Sequence, residues 1–394
     1  RAEGMSVVET GLGSTDMLYY ASGVLGVPGA MFTASHNPAR YNGIKLCRAG
    51  ARPIGQDSGL AEIRQRAQNL LDKGEPVSTG PAGGAEVQRR DLLPEYAAHL
   101  RGLVDLTGIR PLRVVVDAGN GMGGHTVPAV LGDTVLPALP LTIVPLYFEL
   151  DGSFPNHEAN PLEPANLVDL CAAVREHGAD LGLAFDGDAD RCFVVDERGE
   201  PVSPSAITAL VAVRELAKHP GATIIHHLIT SSAVPEIVRE HGGEPVRSRV
   251  GHSFIKADMA RTNAVFGGEH SAHYYFRDFW FADTGMLAAM HLLAALGGQD
   301  RPLSELAAGY ERYVSSGEIN STVDDQQAKL SEVKRAYRSA RTDELDGLTV
   351  SFDDGAWINL RPSNTEPLLR LNVEAPTTER MTTLRDEVLR LVRG

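Results

Sequence analysis

The segment that most constrains the fold of this chain is the hexapeptide DGDADR, which lies between two apolar runs. Over residues 179–196 the pattern predicts a strand, a loop and a second strand. Asp186, Asp188 and Asp190 alternate in the loop, and alternate residues of an extended chain share one face. The chain must therefore fold so that apolar strands hold three carboxylates rigidly in one place.

Three converging carboxylates repel one another strongly unless a cation lies between them. A set of oxygen ligands without histidine or cysteine suits Mg²⁺. An EF-hand is excluded, because no glycine and terminal glutamate follow at the spacing that it needs. A solvated acidic turn is the alternative. The flanking strands favour a magnesium site formed by Asp186, Asp188 and Asp190.

Strand-like apolar runs alternate with helical stretches through most of the chain, which predicts an α/β protein with a more α+β last unit. The clearest predicted elements are a strand in 112–121, a helix over 165–178 that ends at a glycine, a strand and helix over 222–243, an antiparallel sheet over 349–375 and a helix over 377–394. Boundaries are predicted at a glycine-rich stretch (78–90), a turn cluster (196–204) and the segment 315–325 before the last sheet.

Length and composition narrow the class of protein. A length of 394 residues allows two to four domains. The 37 basic and 51 acidic residues give a net charge of −14, which argues against a general nucleic-acid binder. No apolar run approaches the roughly 18 residues that span a bilayer, so no membrane association is expected. Cys47, Cys171 and Cys192 show no CxxC spacing and favour a reduced, cytoplasmic protein. Because the chain starts at Arg1, a truncated N-terminus is expected.

The loop at 31–45 contains a candidate nucleophile. Ser35 lies between an apolar run and Pro38, which predicts an exposed loop. His36 is adjacent, but neighbouring side chains of an extended chain point apart, so no Ser–His pair is predicted. A capping or turn segment is the alternative, since serine, threonine and asparagine favour such positions.

The loop at 266–276 combines groups that suit a sugar. Glu269, Ser271 and His273 alternate, so in an extended strand all three would face one ligand. A carboxylate beside a hydroxyl matches the hydrogen-bonding needs of sugar hydroxyls. The alternative is a strand whose polar face is only solvated.

The loop at 361–370 has the residue types of an anion site. The guanidinium of Arg361 can bind phosphate through two N–H groups. Ser363, Asn364 and Thr365 can add hydroxyl and backbone N–H donors, although a β-turn explains the same residues. Taken together, the four loops predict phosphoryl transfer on a sugar.

The segments TASHNP, DGDADR, GEHSAH and RPSNTEP resemble, in order and spacing, the four signature loops of the α-D-phosphohexomutases. The resemblance covers nearly the whole chain. Within the family, the sequence is most similar to the bacterial phosphomannomutase/phosphoglucomutase branch, whose sugar loop has the form GE-x-S-x-H. The phosphoglucosamine mutases have a similar loop and remain the alternative. The segments SRVGHSFIK (248–256) and FPNHEANP (154–161) also resemble family segments.

The resemblance implies three related α/β domains with mixed sheets and an α+β C-terminal domain around a central cleft. The expected domains are 1–93, with strands missing at its start, 94–200, 201–314 and 315–394. Ser35 is expected to carry a phosphate and to complete the Mg²⁺ site. The other implied site residues are His36, Lys45 and Arg191 at the reaction centre; Gly251, His252, Glu269, Ser271 and His273 at the sugar; and Arg361, Ser363, Asn364, Thr365 and Arg370 at the substrate phosphate.

The implied reaction shifts a phosphate between O6 and O1 of mannose or glucose through a hexose 1,6-bisphosphate. Lys45, His36 and His273 are candidate general bases by residue type. A phosphatase with the same serine and metal is an alternative. A haloacid-dehalogenase-like enzyme is disfavoured, because DGDAD lacks the threonine or valine of the DxDx[TV] motif of such enzymes. A non-catalytic sugar-phosphate sensor is disfavoured as well, because Ser35 and the three aspartates are all present. Hexose phosphates are the expected partners of a monomer or dimer.

Overall fold

The computed structural model describes residues 4–55, 58–74, 84–363 and 367–394. These residues form four successive units. The first unit contains β1 (Val7–Glu9), α1 (Thr15–Leu25), β2 (Gly29–Phe32), β3 (Ile44–Arg48), β4 (Arg52–Pro53), α2 (Leu60–Lys73) and β5 (Val87–Arg89). Its strands form a parallel pair, β1 with β5, and a three-stranded antiparallel sheet in the order β2-β3-β4.

The second and third units share one topology. The second contains α3 (Leu93–Leu103), β6 (Leu112–Asp117), α4 (Gly123–Val130), β7 (Leu141–Leu146), α5 (Val168–His177), β8 (Leu181–Phe185), β9 (Cys192–Asp196) and β10 (Pro201–Val202). The third contains α6 (Pro204–Lys218), β11 (Thr223–His227), α7 (Ala233–Glu240), β12 (Glu244–Ser248), α8 (His252–Thr262), β13 (Phe266–Gly268), β14 (Tyr274–Phe276), β15 (Ala282–Asp283), α9 (Gly285–Gly297) and α10 (Leu303–Ala308). In both sheets the first three strands are parallel and the last two antiparallel, in the spatial order 2-1-3-4-5.

The fourth unit is an antiparallel sheet with two helices. It contains β16 (Val314–Thr322), α11 (Gln326–Ala336), β17 (Arg341–Asp343), β18 (Leu348–Ser351), β19 (Trp357–Pro362), β20 (Leu368–Ala375) and α12 (Thr378–Arg393). The predicted α/β class with an α+β last unit is thus confirmed. The segment 315–325, predicted as a separator, instead forms most of β16 and pairs with β20. Its alternating buried and exposed residues suit a sheet edge better than a linker.

Local sequence explains the elements that hold the functional loops. All residues of β8 (LGLAF) and of β9 (CFVVD) are buried, as expected for strands covered on both faces. The helix predicted over 165–178 is confirmed as a short 3₁₀ turn followed by α5. It ends at Gly178, whose φ of 54° lies in the left-handed region that glycine adopts readily. Strand β10 still pairs with β9, two residues beyond the boundary predicted at 200.

Apolar packing divides the chain into two main cores. One continuous cluster includes Tyr20 and Tyr96, Val115, and Phe266 and so joins the first three units. A separate cluster, which includes Val350 and Leu384, serves the fourth unit alone. The fourth unit contacts the third largely through polar groups, such as Arg247 with Asp343 at 2.7 Å and the Ser232 N–H with Glu374 at 2.9 Å. Within the residues described, no helix combines the length and apolarity needed to cross a membrane.

A buried carboxylate joins the first three units. Asp16, at the start of α1, is fully buried and accepts hydrogen bonds from the hydroxyls of Ser14, Tyr96 and Thr284. The last two bonds are each 2.7 Å long and come from the second and third units. Burial raises the pKa of Asp16 to about 6, although the three hydroxyl donors oppose the shift.

An aromatic contact joins the same units nearby. Trp280 stacks on His99 with ring centroids 5.3 Å apart and meets Tyr20 edge-on at 6.1 Å. The Trp280 ring lies directly over Gly23 of α1, where any Cβ would overlap it. Glycine is therefore required in this helix because a ring from the third unit occupies the space of a side chain.

We expect Gly23→Ala to lower the thermal unfolding midpoint. Overpacking against Trp280 should cost about 1–3 kcal/mol, which exceeds the gain in helix propensity. Gly102→Ala is the matched control, because Gly102 also lies near the end of a helix but a Cβ there would meet no other atom within 4 Å. That control should raise stability by about 0.5–1 kcal/mol. If the two variants change the thermal unfolding midpoint by the same amount, the close contact between Gly23 and Trp280 is contradicted.

Candidate active site

The three aspartates converge, but through a turn and not through an extended strand. They lie in the hairpin between β8 and β9, where Ala189 has a φ of 57° and its N–H donates to the Asp186 carbonyl at 3.0 Å. The expected period-two geometry is therefore wrong. The left-handed residue folds the loop back, and carboxylate oxygens of Asp186, Asp188 and Asp190 lie within 4.8 Å of one another.

Two cations balance this buried charge. The Lys45 Nζ lies 2.8 Å from Asp188 and 2.5 Å from Asp190, and the Arg191 Nε lies 2.9 Å from Asp186. Burial raises the pKa of Asp186 to about 7 despite Arg191. Burial alone would raise the pKa of Asp190 as well, but Lys45, His273 and Arg191 together outweigh burial, so this pKa is lowered. The aspartates raise the pKa of Lys45 well above its usual value, against the effect of burial.

The aspartate cluster retains free oxygen ligands. Oδ1 of Asp188 and Oδ1 of Asp190 are buried and accept no hydrogen bond. A buried carboxylate oxygen without a partner is unfavourable unless a cation binds it. The donor set consists of oxygens, as Mg²⁺ prefers. The residues present therefore fit a hard divalent cation.

The fold places this loop where α/β sheets usually bind ligands. In the second unit, β6 and β8 are neighbours and β7 lies on the other side of β6. Connections leave the sheet in opposite directions at this point and open a crevice at the carboxyl ends of the strands. Asp186 directly follows β8. In the third unit, Glu269 directly follows β13 at the equivalent place.

Ser35 meets the aspartates from the first unit. It lies in the hairpin between β2 and β3, and its Oγ is 3.1 Å from Asp186 Oδ2. The backbone N–H of Ser35 donates to Thr33 Oγ1 at 2.8 Å, and Thr33 Oγ1 donates to Asp188 at 3.1 Å. Thr15, at the start of α1, also donates to Asp188, at 2.7 Å. Two segments of the first unit, the β2–β3 hairpin and the start of α1, thus contact the cluster beside the Ser35 hydroxyl.

The expectation that Ser35 and His36 point apart is wrong. Ser35 has a φ of 54°, in the left-handed region, so the chain turns sharply and His36 Nδ1 lies 3.2 Å from Ser35 Oγ. The turn alternative is correct for the backbone, since the Asn37 N–H donates to the Ala34 carbonyl at 3.1 Å. Burial and the nearby Arg191 lower the pKa of His36 to about 4.

The GEHSAH loop has the same turn as the aspartate loop. Ala272 has a φ of 63°, and its N–H donates to the Glu269 carbonyl at 3.1 Å. Glu269, Ser271 and His273 therefore do not share one face of a strand. Glu269 is 4% exposed, accepts a hydrogen bond from the Tyr275 hydroxyl and lies 3.7 Å from His227. Burial raises the pKa of Glu269 to about 7.

Ser271 and His273 turn instead toward the aspartate loop. Ser271 Oγ lies 2.9 Å from His273 Nδ1, and His273 Nε2 lies 3.8 Å from Asp190 Oδ1. The backbone of His273 also forms an isolated antiparallel bridge with Arg191. The second and third loops are therefore in direct contact. Burial lowers the pKa of His273 to about 4, although Asp190 opposes the shift.

Two charged residues at this junction were not predicted. Lys256 and Asp283 are 3% exposed and pair at 2.5 Å, and the Lys256 Nζ lies 4.0 Å from the centroid of the Tyr19 ring. The available signal was spacing on α8, because Lys256 follows the predicted site residue His252 by four positions and shares its face. Gly251 is the N-cap of this helix, with a φ of 127°.

The fourth loop lies in the hairpin between β19 and β20. Arg361 is 9% exposed and faces Glu318 at 3.4 Å and Asp346 at 4.0 Å. Asp346 also accepts the backbone N–H of Val250 at 3.1 Å, which links Arg361 to the segment before Gly251. The Ser363 N–H donates to the Leu368 carbonyl at 2.8 Å. Asn364 and Thr365 lie outside the described residues.

Each of the four predicted loops is thus a hairpin loop, and each belongs to a different unit. Ser35 contacts Asp186, Asp190 approaches His273, and Arg361 is close enough to lower the pKa of Glu269 against the larger effect of burial. The Ser35 hydroxyl, the aspartate cluster, the Glu269 loop and Arg361 therefore lie near one another in succession.

Comparison with known families assigns all four units. Residues 1–73, 94–199 and 203–313 match α/β/α domains I, II and III of phosphoglucomutase/phosphomannomutase, and residues 318–391 match its C-terminal domain. These matches agree with the order of units in the structure.

Individual relatives extend over nearly the whole chain. A phosphomannomutase of Escherichia coli is 39% identical over 396 residues, covering 99% of this chain and 86% of the relative. A protein named phosphohexose mutases, from Xanthomonas campestris pv. campestris (strain ATCC 33913), is 42% identical and covers 100% and 86%. The crystal structure of a phosphoglucomutase/phosphomannomutase family protein from Burkholderia thailandensis has a TM-score of 0.83 at 32% identity and covers 100% and 84%. This chain therefore belongs to the phosphoglucomutase/phosphomannomutase family of enzymes.

Proposed function

We propose that the protein is a phosphohexomutase that moves a phosphate between O6 and O1 of mannose or glucose. The observation that carries this proposal is the approach of a serine hydroxyl to a buried metal-type carboxylate cluster, with Ser35 Oγ 3.1 Å from Asp186. The names of the relatives, phosphomannomutase and phosphohexose mutases, support the same class of reaction.

We propose that Asp186, Asp188 and Asp190 hold Mg²⁺, with an oxygen of phosphorylated Ser35 completing the site. The ion would supply positive charge that stabilises the serine oxygen as the phosphate leaves. The free Oδ1 atoms of Asp188 and Asp190 support this assignment.

The residues around Ser35 account for the charge of the transferred group. Lys45 and Arg191 pair with the aspartates beside the reacting hydroxyl, and these aspartates hold both cations in place. Fixed positive groups stabilise a transferring phosphoryl group without reorganisation. We propose that His36 orients the serine hydroxyl through its Nδ1, which lies 3.2 Å from Oγ.

In the forward direction, the bond between Ser35 Oγ and phosphorus breaks and a sugar oxygen bonds to phosphorus. A general base accepts the proton that the sugar hydroxyl loses, and the departing Ser35 oxygen takes up a proton to become a hydroxyl again. The product is a hexose 1,6-bisphosphate. The bisphosphate reorients within the site, so that its other phosphate faces Ser35 and is transferred to the serine. We propose that Glu269 and Ser271, with His252 and His273 nearby, bind the sugar, while Arg361, Arg370, Ser363, Asn364 and Thr365 hold the phosphate that does not react.

Activity assays distinguish the proposed reaction from the alternative activities and substrates. A phosphatase would release inorganic phosphate, whereas a mutase yields isomerised sugar phosphate. A phosphoglucosamine mutase would prefer glucosamine 1-phosphate over mannose 1-phosphate and glucose 1-phosphate. We also propose a reducing, cytoplasmic setting, because Cys47, Cys171 and Cys192 are all free thiols.

We expect Ser35→Ala to reduce mutase turnover by at least about a thousandfold, because the residue that carries the phosphate is lost. The assay follows conversion of mannose 1-phosphate with the bisphosphate supplied. Ser331→Ala, at an exposed position of α11, is the control and should retain full turnover. Near-normal turnover of Ser35→Ala would rule out the phosphoserine.

We expect Asp188→Asn to weaken Mg²⁺ binding by at least about tenfold, because one of three charged ligands is lost. Titration of activity and of bound Mg²⁺ checks this result. Asp133→Asn removes one exposed carboxylate from the same unit and should leave both titrations unchanged. Unaltered Mg²⁺ affinity in Asp188→Asn would place the metal elsewhere.

A pH-dependent stability is expected from Glu269. Its pKa is about 7 in the folded state and ordinarily 4.5, so the folded protein keeps a proton that the unfolded chain releases between these pH values. The Glu269 carboxyl should therefore contribute a loss of stability on the order of 3 kcal/mol as pH rises from about 4.5 to 7, separate from the contributions of the other buried titratable groups.

Glu269→Gln removes this titration and keeps an acceptor for the Tyr275 hydroxyl. The thermal midpoint of this variant relative to the wild type should therefore be higher at pH 8 than at pH 5, while its affinity for hexose phosphate falls. A midpoint difference that does not change with pH would show that Glu269 has an ordinary pKa.

A further inference from the structure

Arg361 and Arg370, the two arginines of the fourth unit that we propose bind the substrate phosphate, form a close pair of like charges. Arg361 on β19 and Arg370 on β20 are register partners in the antiparallel sheet, so their side chains leave the same face next to each other. Like charges directly opposite on a sheet destabilise it unless an anion lies nearby. This face of the sheet turns away from the apolar core, to which Leu360 and Leu371 belong.

A carboxylate of the protein already bridges this pair. Glu318 lies on the neighbouring strand β16, where Asn320, two residues on, is the register partner of Arg370. Glu318 Oε2 lies 3.4 Å from Arg361, and Oε1 lies 3.6 Å from Arg370. Each oxygen of the carboxylate thus faces a different guanidinium group.

Strand irregularity brings Glu318 to this place. The register of β16 against β20 shifts between Ser315 and Glu318, and Gly317 has a φ of 66°. A bulge of this kind bends a strand and changes the direction of the next side chain. The Glu318 side chain remains 31% exposed, so an ion from solvent can reach the same place.

The arginine pair keeps unused donors beside Glu318. In the described part of the chain, Arg361 Nη1 and Arg370 Nε are buried and have no hydrogen-bond partner. The contacts to Glu318 use Nη2 of Arg361 and Nη1 of Arg370 instead. Asp346 also lies 4.0 Å from Nη1 of Arg361, which is too far for a hydrogen bond. The pair therefore faces two carboxylates and still keeps hydrogen-bond donors for a further anion.

We propose that Glu318 is the built-in counter-ion of Arg361 and Arg370, and that it weakens their hold on the substrate phosphate so that this phosphate is released quickly. The inference rests on the proposed function of these arginines. Glu318 acts here as a positioning residue, because it does not bind the phosphate. It affects phosphate binding through its contacts with the two arginines and through the repulsion between its negative charge and the phosphate.

Fast release matters for the reaction proposed above. The bisphosphate must leave the arginines, turn over and offer its other phosphate to the same pair. Without Glu318, the pair would keep only Asp346, 4.0 Å from Arg361, as a carboxylate partner among the described residues. It would then bind a dianion more tightly and be less well compensated when the dianion departs. When the phosphate departs, the Glu318 carboxylate again compensates the charge of the arginines. It therefore favours release of the phosphate and lowers the affinity for it.

The test is the variant Glu318→Gln, probed first with inorganic phosphate by calorimetric titration without added Mg²⁺. Removal of a negative charge a few ångströms from the anion should tighten phosphate binding by about tenfold. In the mutase assay the KM for hexose 1-phosphate should fall, and kcat should fall with it because release slows. Glu344→Gln removes an exposed carboxylate of the same unit whose only ion pair among the described residues is with Lys334, and it should change neither quantity.

The outcomes separate this inference from the function on which it rests. If Arg361→Gln binds phosphate as the wild type does, the arginines are not the phosphate site and the proposed function fails there. If phosphate binding requires Arg361 but Glu318→Gln binds phosphate no more tightly, the counter-ion role is overturned and the arginine site stands. Should Glu318→Gln not fold, Glu318→Asp withdraws the carboxylate by one methylene and should tighten phosphate binding by a smaller factor.

Discussion

The arrangement of the whole molecule depends on the neutralisation of three carboxylates in one turn. Unit charges a few ångströms apart in a buried site repel by several kcal/mol, so Asp186, Asp188 and Asp190 cannot stand together without cations. Arg191 is supplied by the same loop, but Lys45 comes from the first unit and reaches two of the aspartates. The packing of the first unit on the second is therefore tied to the charge balance of the site.

A second buried carboxylate is stabilised by a different principle. Asp16 has no basic partner within hydrogen-bond distance among the described residues and is satisfied by three hydroxyl groups from three units. Hydroxyl donors fix direction without adding charge, so they orient the units without changing the charge balance near Ser35. The fourth unit meets the third through separate polar contacts, which include the Arg247–Asp343 ion pair and the hydrogen bond from the Ser232 N–H to Glu374.

Much of the fold and of the site follows from local sequence, and the failures share one cause. The strands on either side of DGDADR and the helix that ends at Gly178 are set by apolar pattern and a glycine stop, and both were predicted correctly. The turn at Ala189, the turn at Ala272 and the Ser35–His36 contact were not, because non-glycine residues take left-handed conformations there. Such strain is maintained by surrounding packing that no local pattern reports. The Lys256–Asp283 pair and the position of Glu318 likewise depend on contacts between distant segments.

The two separate cores have a consequence for how the protein opens. Because Val350 and Leu384 pack only within the fourth unit, that unit can part from the rest without exposing the shared core of the other three. Opening of this kind is a sub-global fluctuation whose free energy is below that of complete unfolding. A sugar phosphate held at one end by Arg361 and at the other near Ser35 would join two otherwise independent cooperative blocks. The ligand then acts as a non-covalent cross-link, and substrate concentration sets how often the two blocks move as one body.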